Sequence, residues 1–185
     1  MVLSIGRPSK SDSYLTRALH TERFDLAPCN WIESVRISVP WAKDPEILES
    51  LMHEKSFYPP LEWATRQPRP NGRSVFVHAI TPRETGVPIG LHRIRFSRSG
   101  TARLTIAISD KSWWGKGVFG EVRTEILDHF SRSPKVVRFA GRVLSRNLSS
   151  VYNYRKLGFR SVGHDRLAWK SPSTGELHDT IYFEY

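Results

Sequence analysis

Apolar residues follow a helical spacing in two segments of the second half of the chain. In the first segment they recur at every fourth position, which predicts a helix with one buried face. These residues are Val118, Val122, Ile126 and Phe130. The second predicted helix begins at Asn147, a residue type that caps helix N-termini, and runs to Leu157, where Gly158 ends it.

Helical spacing also extends from Asn30 to Met52, but two prolines interrupt it. Because proline is tolerated in the first turn of a helix and not in its interior, Pro40 and Pro45 divide the segment into two predicted helices. The next segment, Ser56–Gly72, contains four more prolines. We predict a long irregular loop there, of the kind that often contacts ligands.

Short runs rich in β-branched and aromatic residues predict the strands. Ser74–Ile80, Ile89–Ser97 and Ala102–Ser109 are separated by glycine-containing turns and predict an antiparallel meander. The other predicted strands are Arg23–Leu26, Val136–Val143, Ser161–Lys170 and Asp179–Tyr185. The elements together predict an α/β (α+β) fold with a mixed, mostly antiparallel sheet of about seven strands and about four helices. We expect a loosely ordered lead-in over residues 1–18 and one domain over residues 19–185.

Composition narrows the class of protein. Hydrophobic residues at 39% and aromatic residues at 11% favour a folded globule. Cys29 is the only cysteine, which excludes an internal disulfide framework and a multi-cysteine metal site. No apolar run approaches the roughly 20 residues of a membrane span, and the first residues lack the apolar stretch of a signal peptide. We therefore expect a soluble, cytoplasmic protein that uses neither a membrane nor a metal.

The net charge of +10 is unevenly distributed. Residues 131–170 contain ten Lys and Arg residues and one acid, Asp165, whereas residues 44–62 are rich in acids. The basic segment favours a polyanionic partner, either nucleic acid or a phosphate-rich cofactor, although a solvated basic surface explains it equally well. The acidic segment favours a cationic partner or is only a helix surface.

A glycine-rich turn joins the third strand of the meander to the helix at Val118. Its sequence is Trp113-Trp-Gly-Lys-Gly117. Glycine lets a backbone approach a ligand closely, and the first N–H groups of a helix favour an anion such as a pyrophosphate. The glycine spacing fits neither a P-loop nor a dinucleotide-binding fingerprint. By itself, such a turn is more often a tight connection without a ligand.

A second motif indicates a function for this turn. The segment Asn147–Phe159 resembles the Asn-x-x-Ala/Ser-x-x-x-Tyr-x-Lys-x-Gly-Phe signature of the GNAT acetyltransferase superfamily. Leu19–Pro28 is similar to the opening of its ribosomal-protein-acetyltransferase-like branch. The resemblance covers about Leu19 to Tyr185 and implies the single-domain GNAT fold, with acetyl-CoA as co-substrate and no metal.

The resemblance also implies residue roles. The strand that includes Ala107 and Ile108 would bind the pantetheine arm through its backbone, and Asn147 and Ser150 would contact the cofactor. The pyrophosphate would be held by backbone amides of the turn and the helix start: Gly115, Lys116, Gly117, Val118, Phe119 and Gly120.

Tyr154 matches the general acid of the family. Acetyl transfer to an amine expels a thiolate, whose thiol has a pKa near 8.5, and a phenol with a pKa near 10 stays protonated at neutral pH and can donate to it. The alternative role for Tyr154 is a packed aromatic residue on an amphipathic helix.

Two features depart from the family pattern. Phe119 stands where a small residue is usual, and it would either crowd the turn or belong to the core. A glutamate that serves some members as general base is replaced by Arg103. The remaining candidates are His92, His78 and Asp110, or a water molecule.

These observations predict an N-acetyltransferase that transfers an acetyl group from acetyl-CoA to a primary amine. The acceptor would be a small molecule (an amino sugar or an aminoglycoside-like compound) or a protein N-terminus. The alternative is a non-catalytic module of the same fold that binds nucleic acid through its basic surface. Either would be a monomer or a homodimer.

Overall fold

Eight strands form one sheet in the computed structural model, which describes residues 14–185. The strands are β1 (Leu19–His20), β2 (Phe24–Pro28), β3 (Val75–Pro82), β4 (Gly90–Phe96), β5 (Thr101–Ile108), β6 (Arg138–Leu144), β7 (Arg160–Lys170) and β8 (Leu177–Glu184). Their order across the sheet is β1-β2-β3-β4-β5-β6-β8-β7. Only β5 and β6 are parallel neighbours, as expected for strands joined by a crossover helix.

In the described part of the chain, five α-helices cover the sheet: α1 (Trp31–Ser38), α2 (Pro45–Ser50), α3 (Pro60–Arg66), α4 (Val118–Ser131) and α5 (Leu148–Lys156). Side chains cap three of them. Asn30 and Glu33 form a capping box at α1, Asp44 caps α2, and Asn147 caps α5. A 3₁₀ turn over Val39–Lys43 joins α1 to α2, because Pro40 interrupts the helical hydrogen bonding.

Each face of the sheet carries its own buried cluster, because side chains alternate along a strand. Phe76 and Ile94 belong to the cluster under α4 and α5. Val77 and Leu91 belong to the other cluster, under α1 to α3, which includes the fully buried Trp63. The sheet therefore separates α4 and α5, on one face, from the N-terminal helices α1 to α3, on the other.

The predicted fold class is confirmed, with two elements more than expected. The additional strand is β1, which has only two residues. The additional helix is α3, so the prediction of an irregular loop over Ser56–Gly72 was wrong at Pro60–Arg66. Pro60 occupies the first turn, where proline is compatible with a helix. Trp63 anchors the helix, since its Nε1 donates a hydrogen bond to Ser38 Oγ at 3.0 Å.

The predicted lead-in lies mostly outside the described residues, since residues 1–13 are not among them. In its described part, Leu15 is fully buried in the cluster under α4 and α5. At least this residue of the lead-in therefore packs with the residues that follow it.

Candidate active site

β5 and β6 pair along only a short part of their lengths. Their ladder covers Thr101–Arg103 on β5 and Arg138–Ala140 on β6, after which the two strands separate. On its other side, β5 remains paired with β4 as far as Ile108. The backbone groups of β5 that point toward β6 beyond Arg103 have no partner in this ladder, so they are free to pair with an extended ligand.

Tyr154 lies where the two strands separate. Gly141 directly follows the last residue of β6 that pairs with β5, and a Cβ atom built on it would lie 2.1 Å from the Tyr154 hydroxyl oxygen. The ring of Tyr154 is stacked on Phe183, with centroids 5.0 Å apart, and meets Phe159 edge to face at 4.9 Å. Packing thus fixes the ring, while the hydroxyl rests against the backbone of β6 at the gap.

The glycine-rich turn leads from β5 to α4 through two residues in the left-handed region. Gly115 has a φ of 75° and Gly117 a φ of 77°, a conformation that favours glycine. Gly117 is the N-cap of α4, and no side chain caps this helix. Trp114 Nε1 donates a hydrogen bond to the Ile108 carbonyl at 3.0 Å, which folds the turn back onto the end of β5. The first N–H groups of α4 therefore lack a side-chain acceptor and suit an anion.

A polar clamp fastens this turn to the connection between β1 and β2. Glu121 accepts hydrogen bonds from Thr21 Oγ1 at 2.6 Å and from Arg23 Nε at 2.7 Å. Arg23 Nη2 also donates to the Lys116 carbonyl at 3.0 Å. Burial alone would raise the pKa of Glu121, but these hydrogen bonds and the Arg23 charge hold it below its usual value. Sequence reasoning missed Glu121, although Thr21 and Arg23 lie in the family-like opening segment.

A cleft of about 520 Å³ opens between α4 and α5, beside the glycine-rich turn. Gly117 and Gly120, two of the residues predicted to hold a pyrophosphate, line it. Lys156 on α5 also lines it and was not predicted as a site residue, although it is the lysine of the motif. An exposed ammonium at such a position can pair with a phosphate group.

The other predicted cofactor residues are not among those that line the cleft, and their settings differ. Val118 is buried in the core, and Phe119 is half-buried with its ring 5.6 Å from that of Tyr154. Asn147 Oδ1 accepts a hydrogen bond from the Ser150 backbone N–H at 3.0 Å, so the side chain of Asn147 caps α5. Its amide nitrogen is the atom that would donate to a cofactor.

Ala107 and Ile108 lie at the end of β5. Ala107 belongs to the cluster under α1 to α3, and the carbonyl of Ile108 is already bound by Trp114. Contacts of this strand with pantetheine would therefore use backbone groups before Ile108.

The structure places two of the three candidate bases in the core. His78 and His92 are buried under α4, and the pKa of His78 is lowered to about 4, by burial first and then by the charge of His129. Both are thus neutral but closed to an acceptor that arrives from solvent. Asp110 is exposed, and its carboxylate caps a 3₁₀ turn by accepting from the Ser112 N–H. Of the candidates named from the sequence, a water molecule is then the simplest general base.

Basic partners neutralise the acidic segment. Lys111 pairs with both Asp44 and Glu46, and Arg146 pairs with Glu49. Glu62 pairs in the same way with Lys55 and Arg66. The segment therefore presents much less negative charge than its sequence indicates.

Within residues 14–185, no group of three or more His, Cys, Asp or Glu side chains could hold a metal ion. No helix in this range combines the length and the apolar character needed to cross a bilayer.

We expect Gly120→Leu to block the cleft without harming the fold. No heavy atom lies within 4 Å of a Cβ built on Gly120, and leucine is the better helix former by about 0.5–1 kcal/mol. The melting temperature should stay the same or rise, while the affinity for acetyl-CoA, measured by calorimetry, should fall at least about tenfold. Asp128→Ala, an exposed change on the same helix, is the control. Unchanged affinity in Gly120→Leu would show that the cofactor does not pass this residue.

The chain resembles known proteins in sequence pattern and in fold. The family model described as an acetyltransferase (GNAT) domain matches residues 16–160. No curated protein sequence matches the chain. The fold is shared with spermidine N-acetyltransferase from Vibrio cholerae, solved with CoA and spermine, at a TM-score of 0.73 and 16% identity over 88% of this chain and 95% of that one.

Two structures of ribosomal-protein acetyltransferases have the same fold. The Salmonella typhimurium enzyme that modifies the N-terminal serine of ribosomal protein L7/L12 matches with a TM-score of 0.73 and 13% identity, over 91% of this chain and 98% of that one. Ribosomal-protein-S5-alanine acetyltransferase from Vibrio fischeri matches with a TM-score of 0.71 and 16% identity, over 91% and 96%. The separated strands, the glycine-rich helix start and the family match lead to one conclusion: this chain belongs to the GNAT acetyltransferase family.

Proposed function

We propose that this protein transfers an acetyl group from acetyl-CoA to a primary amine. The observation that carries the proposal is the position of the Tyr154 hydroxyl against Gly141, where β5 and β6 separate. A pantetheine arm that paired with the free edge of β5 would bring its thioester to this gap. The first turn of α4 would bind the pyrophosphate, and Lys156 would meet a phosphate group at the cleft.

The chemistry needs few groups from the protein. The amine nitrogen attacks the thioester carbonyl, so a C–N bond forms and the C–S bond breaks, with its electron pair going to sulfur. Tyr154 donates its proton to the departing sulfur, and water takes the proton that the amine loses. Holding both reactants at the gap supplies much of the remaining acceleration, because orientation alone can contribute several kcal/mol.

For the acceptor we propose the amine of an amino sugar or aminoglycoside-like compound, or a protein N-terminus. Pairing of Asp44, Glu46 and Glu49 with lysine and arginine weakens the case for a polyamine such as spermidine. Free carboxylates would be needed to hold several ammonium groups at once, so the same pairing also disfavours aminoglycoside-like compounds among the proposed acceptors. A screen of amines with detection of the acetylated product by mass spectrometry tests this choice, with spermidine as the acceptor expected to fail.

Acetyl-CoA should stabilise the protein against heat. At 100 times its dissociation constant, a ligand that binds only the folded state adds about 2.7 kcal/mol, which raises the melting temperature by several degrees in a domain of this size. Thermal shift with acetyl-CoA, followed by calorimetry, measures the effect. Absence of any shift at about 1 mM acetyl-CoA would overturn the proposed function.

The competing candidate, a nucleic-acid-binding module, has one observation in its favour. Arg155, Arg160 and Arg166 are exposed, on α5 and on the edge strand β7. Other members of the basic segment are neutralised, since Arg138 pairs with Glu184 and Arg146 with Glu49. Binding to nucleic acid should weaken steeply between about 50 and about 200 mM salt if this function holds.

A further inference from the structure

Within residues 14–185, Arg123 on α4 is a cation without a counter-charge. It has no exposed surface, and none of its three guanidinium nitrogens has a hydrogen-bond partner within residues 14–185. A buried charge that lacks a partner is strongly unfavourable, by several kcal/mol. A residue of this kind in a ligand-binding region indicates that its partner arrives with the ligand or forms during the reaction.

The guanidinium packs against two aromatic rings, those of Phe119 and Tyr154. Its central carbon is 4.4 Å from the centre of the Phe119 ring and 5.0 Å from the centre of the Tyr154 ring. Side chains on a helix lean toward its N-terminus, so the charged end of Arg123 reaches back to the level of the first turn of α4. Its charge is therefore next to the hydroxyl-bearing ring at the gap.

Among the described residues, the groups packed around Arg123 offer no anion in the resting protein. His92 on β4 is neutral, because burial, then the charge of Arg123 and then that of His78 on β3 hold its pKa well below its usual value. The nearest acids along α4, Glu121 and Glu125, line the cleft instead, and Glu121 is bound by Thr21 and Arg23.

We propose that Arg123 balances the negative charge that forms when the C–S bond of acetyl-CoA breaks. The inference rests on the proposed function and adds a group to it. As the bond breaks, its electron pair goes to sulfur, and transfer of the Tyr154 proton moves the charge to the phenolic oxygen. The guanidinium therefore lies beside one negative charge in either case, on the sulfur before the proton transfer and on the phenolic oxygen after it. In a buried site such a fixed cation needs no reorganisation when the charge appears. This role also explains the position of Phe119, because its ring covers the guanidinium and keeps water away from it.

Binding of CoA as a function of pH tests this proposal without turnover. S-methyl-CoA, whose thioether cannot ionise, is the matched ligand. The free thiol has a pKa of about 8.5, so a cation that favours the thiolate should make CoA bind at least about tenfold tighter than S-methyl-CoA near pH 9.5, with little difference near pH 6. The ultraviolet absorbance of the bound thiolate should appear at a lower pH than that of free CoA.

Two variants separate charge from packing. Arg123→Leu should abolish the pH-dependent preference for CoA and keep or raise the melting temperature of the ligand-free protein, because an unpaired buried charge is removed. Arg123→Lys should keep most of the preference. If Arg123→Leu does not fold, the native protein and Arg123→Lys still decide the matter, since both should show the preference.

The outcomes distinguish this inference from the function on which it rests. Equal binding of both ligands by the native protein at every pH would overturn the role of Arg123 alone. A preference that survives in Arg123→Leu would do the same. Failure of both ligands to bind would overturn the proposed function and this inference together.

Discussion

Tyr154→Phe should reduce turnover by about 10²–10⁴-fold at neutral pH, the usual contribution of a general acid. The hydroxyl lies at the gap between β5 and β6, but the ring is held by Phe183 and Phe159, so phenylalanine keeps the packing. A contact made mainly in the transition state lowers kcat and leaves the affinity for acetyl-CoA nearly unchanged. Steady-state kinetics with the acceptor found by the screen, together with calorimetry, measures both quantities.

Tyr152→Phe provides the control for this change. Tyr152 lies on the same helix and is largely exposed, so loss of its hydroxyl should leave turnover unaltered. With a thioester whose thiol is more acidic, the loss in Tyr154→Phe should shrink, because such a leaving group needs less protonation. Full activity of Tyr154→Phe would show that Tyr154 serves only in packing.

Gly141→Ala should inactivate the enzyme although no functional group is removed. The added methyl would lie 2.1 Å from the Tyr154 hydroxyl oxygen, far inside van der Waals contact, so the ring must move away from the gap. We expect turnover to fall by about 10²-fold or more, and overpacking to lower the free energy of unfolding by about 1–3 kcal/mol. Kinetics and denaturant unfolding of the variant check the two effects.

Gly163→Ala is the matched control for this second change. Gly163 is also a strand glycine, but the atom nearest to its added methyl would be in the Tyr182 ring, at an ordinary distance of 3.5 Å. Gly141→Ala combined with Tyr154→Phe should be little less active than Tyr154→Phe alone, because both changes disable the same group. Additive losses would mean that Gly141 acts independently of Tyr154.

Elements with a strong local signal could be predicted from the sequence. The four-residue spacing from Val118 to Phe130 defined α4, and the capping residue Asn147 defined the start of α5. The helix α3 escaped prediction because its prolines are typical of loops, and its stability depends on Trp63, which is buried against α1. The pattern of neighbouring residues does not reveal a contact between residues that are distant in the chain.

The candidate site was only partly predictable, for a similar reason. Residues within the two motifs, such as Gly117 and Tyr154, carry a recognisable spacing. Gly141 and Arg123 gain their significance from where β5 and β6 separate and from what packs against Tyr154. Contacts between residues that are distant in the chain decide both features.

Charge counts along the chain were misleading because ion pairs join distant residues. Glu46 and Lys111 are separated by 65 positions, and Glu49 and Arg146 by 97. A window of neighbouring residues therefore counts an acid without its partner. The pair of Glu49 and Arg146 joins the acidic segment to the basic one, and the other paired acids of the segment are bound by Lys111, Lys55 and Arg66.

The strand β7 has a consequence for how the protein behaves at high concentration. It is eleven residues long and lies at the edge of the sheet, where unpaired backbone groups invite a strand from another molecule. Its pairing with β8 is irregular between Asp165 and Trp169, and Leu167 adopts a positive φ while its N–H is bound by the Asp179 carboxylate. This bulge interrupts the regular edge of β7, and the exposed charges of Arg160 and Arg166 lie on the part that remains. The irregularity thus protects the protein from forming intermolecular sheets, and straightening it would create a surface prone to aggregation.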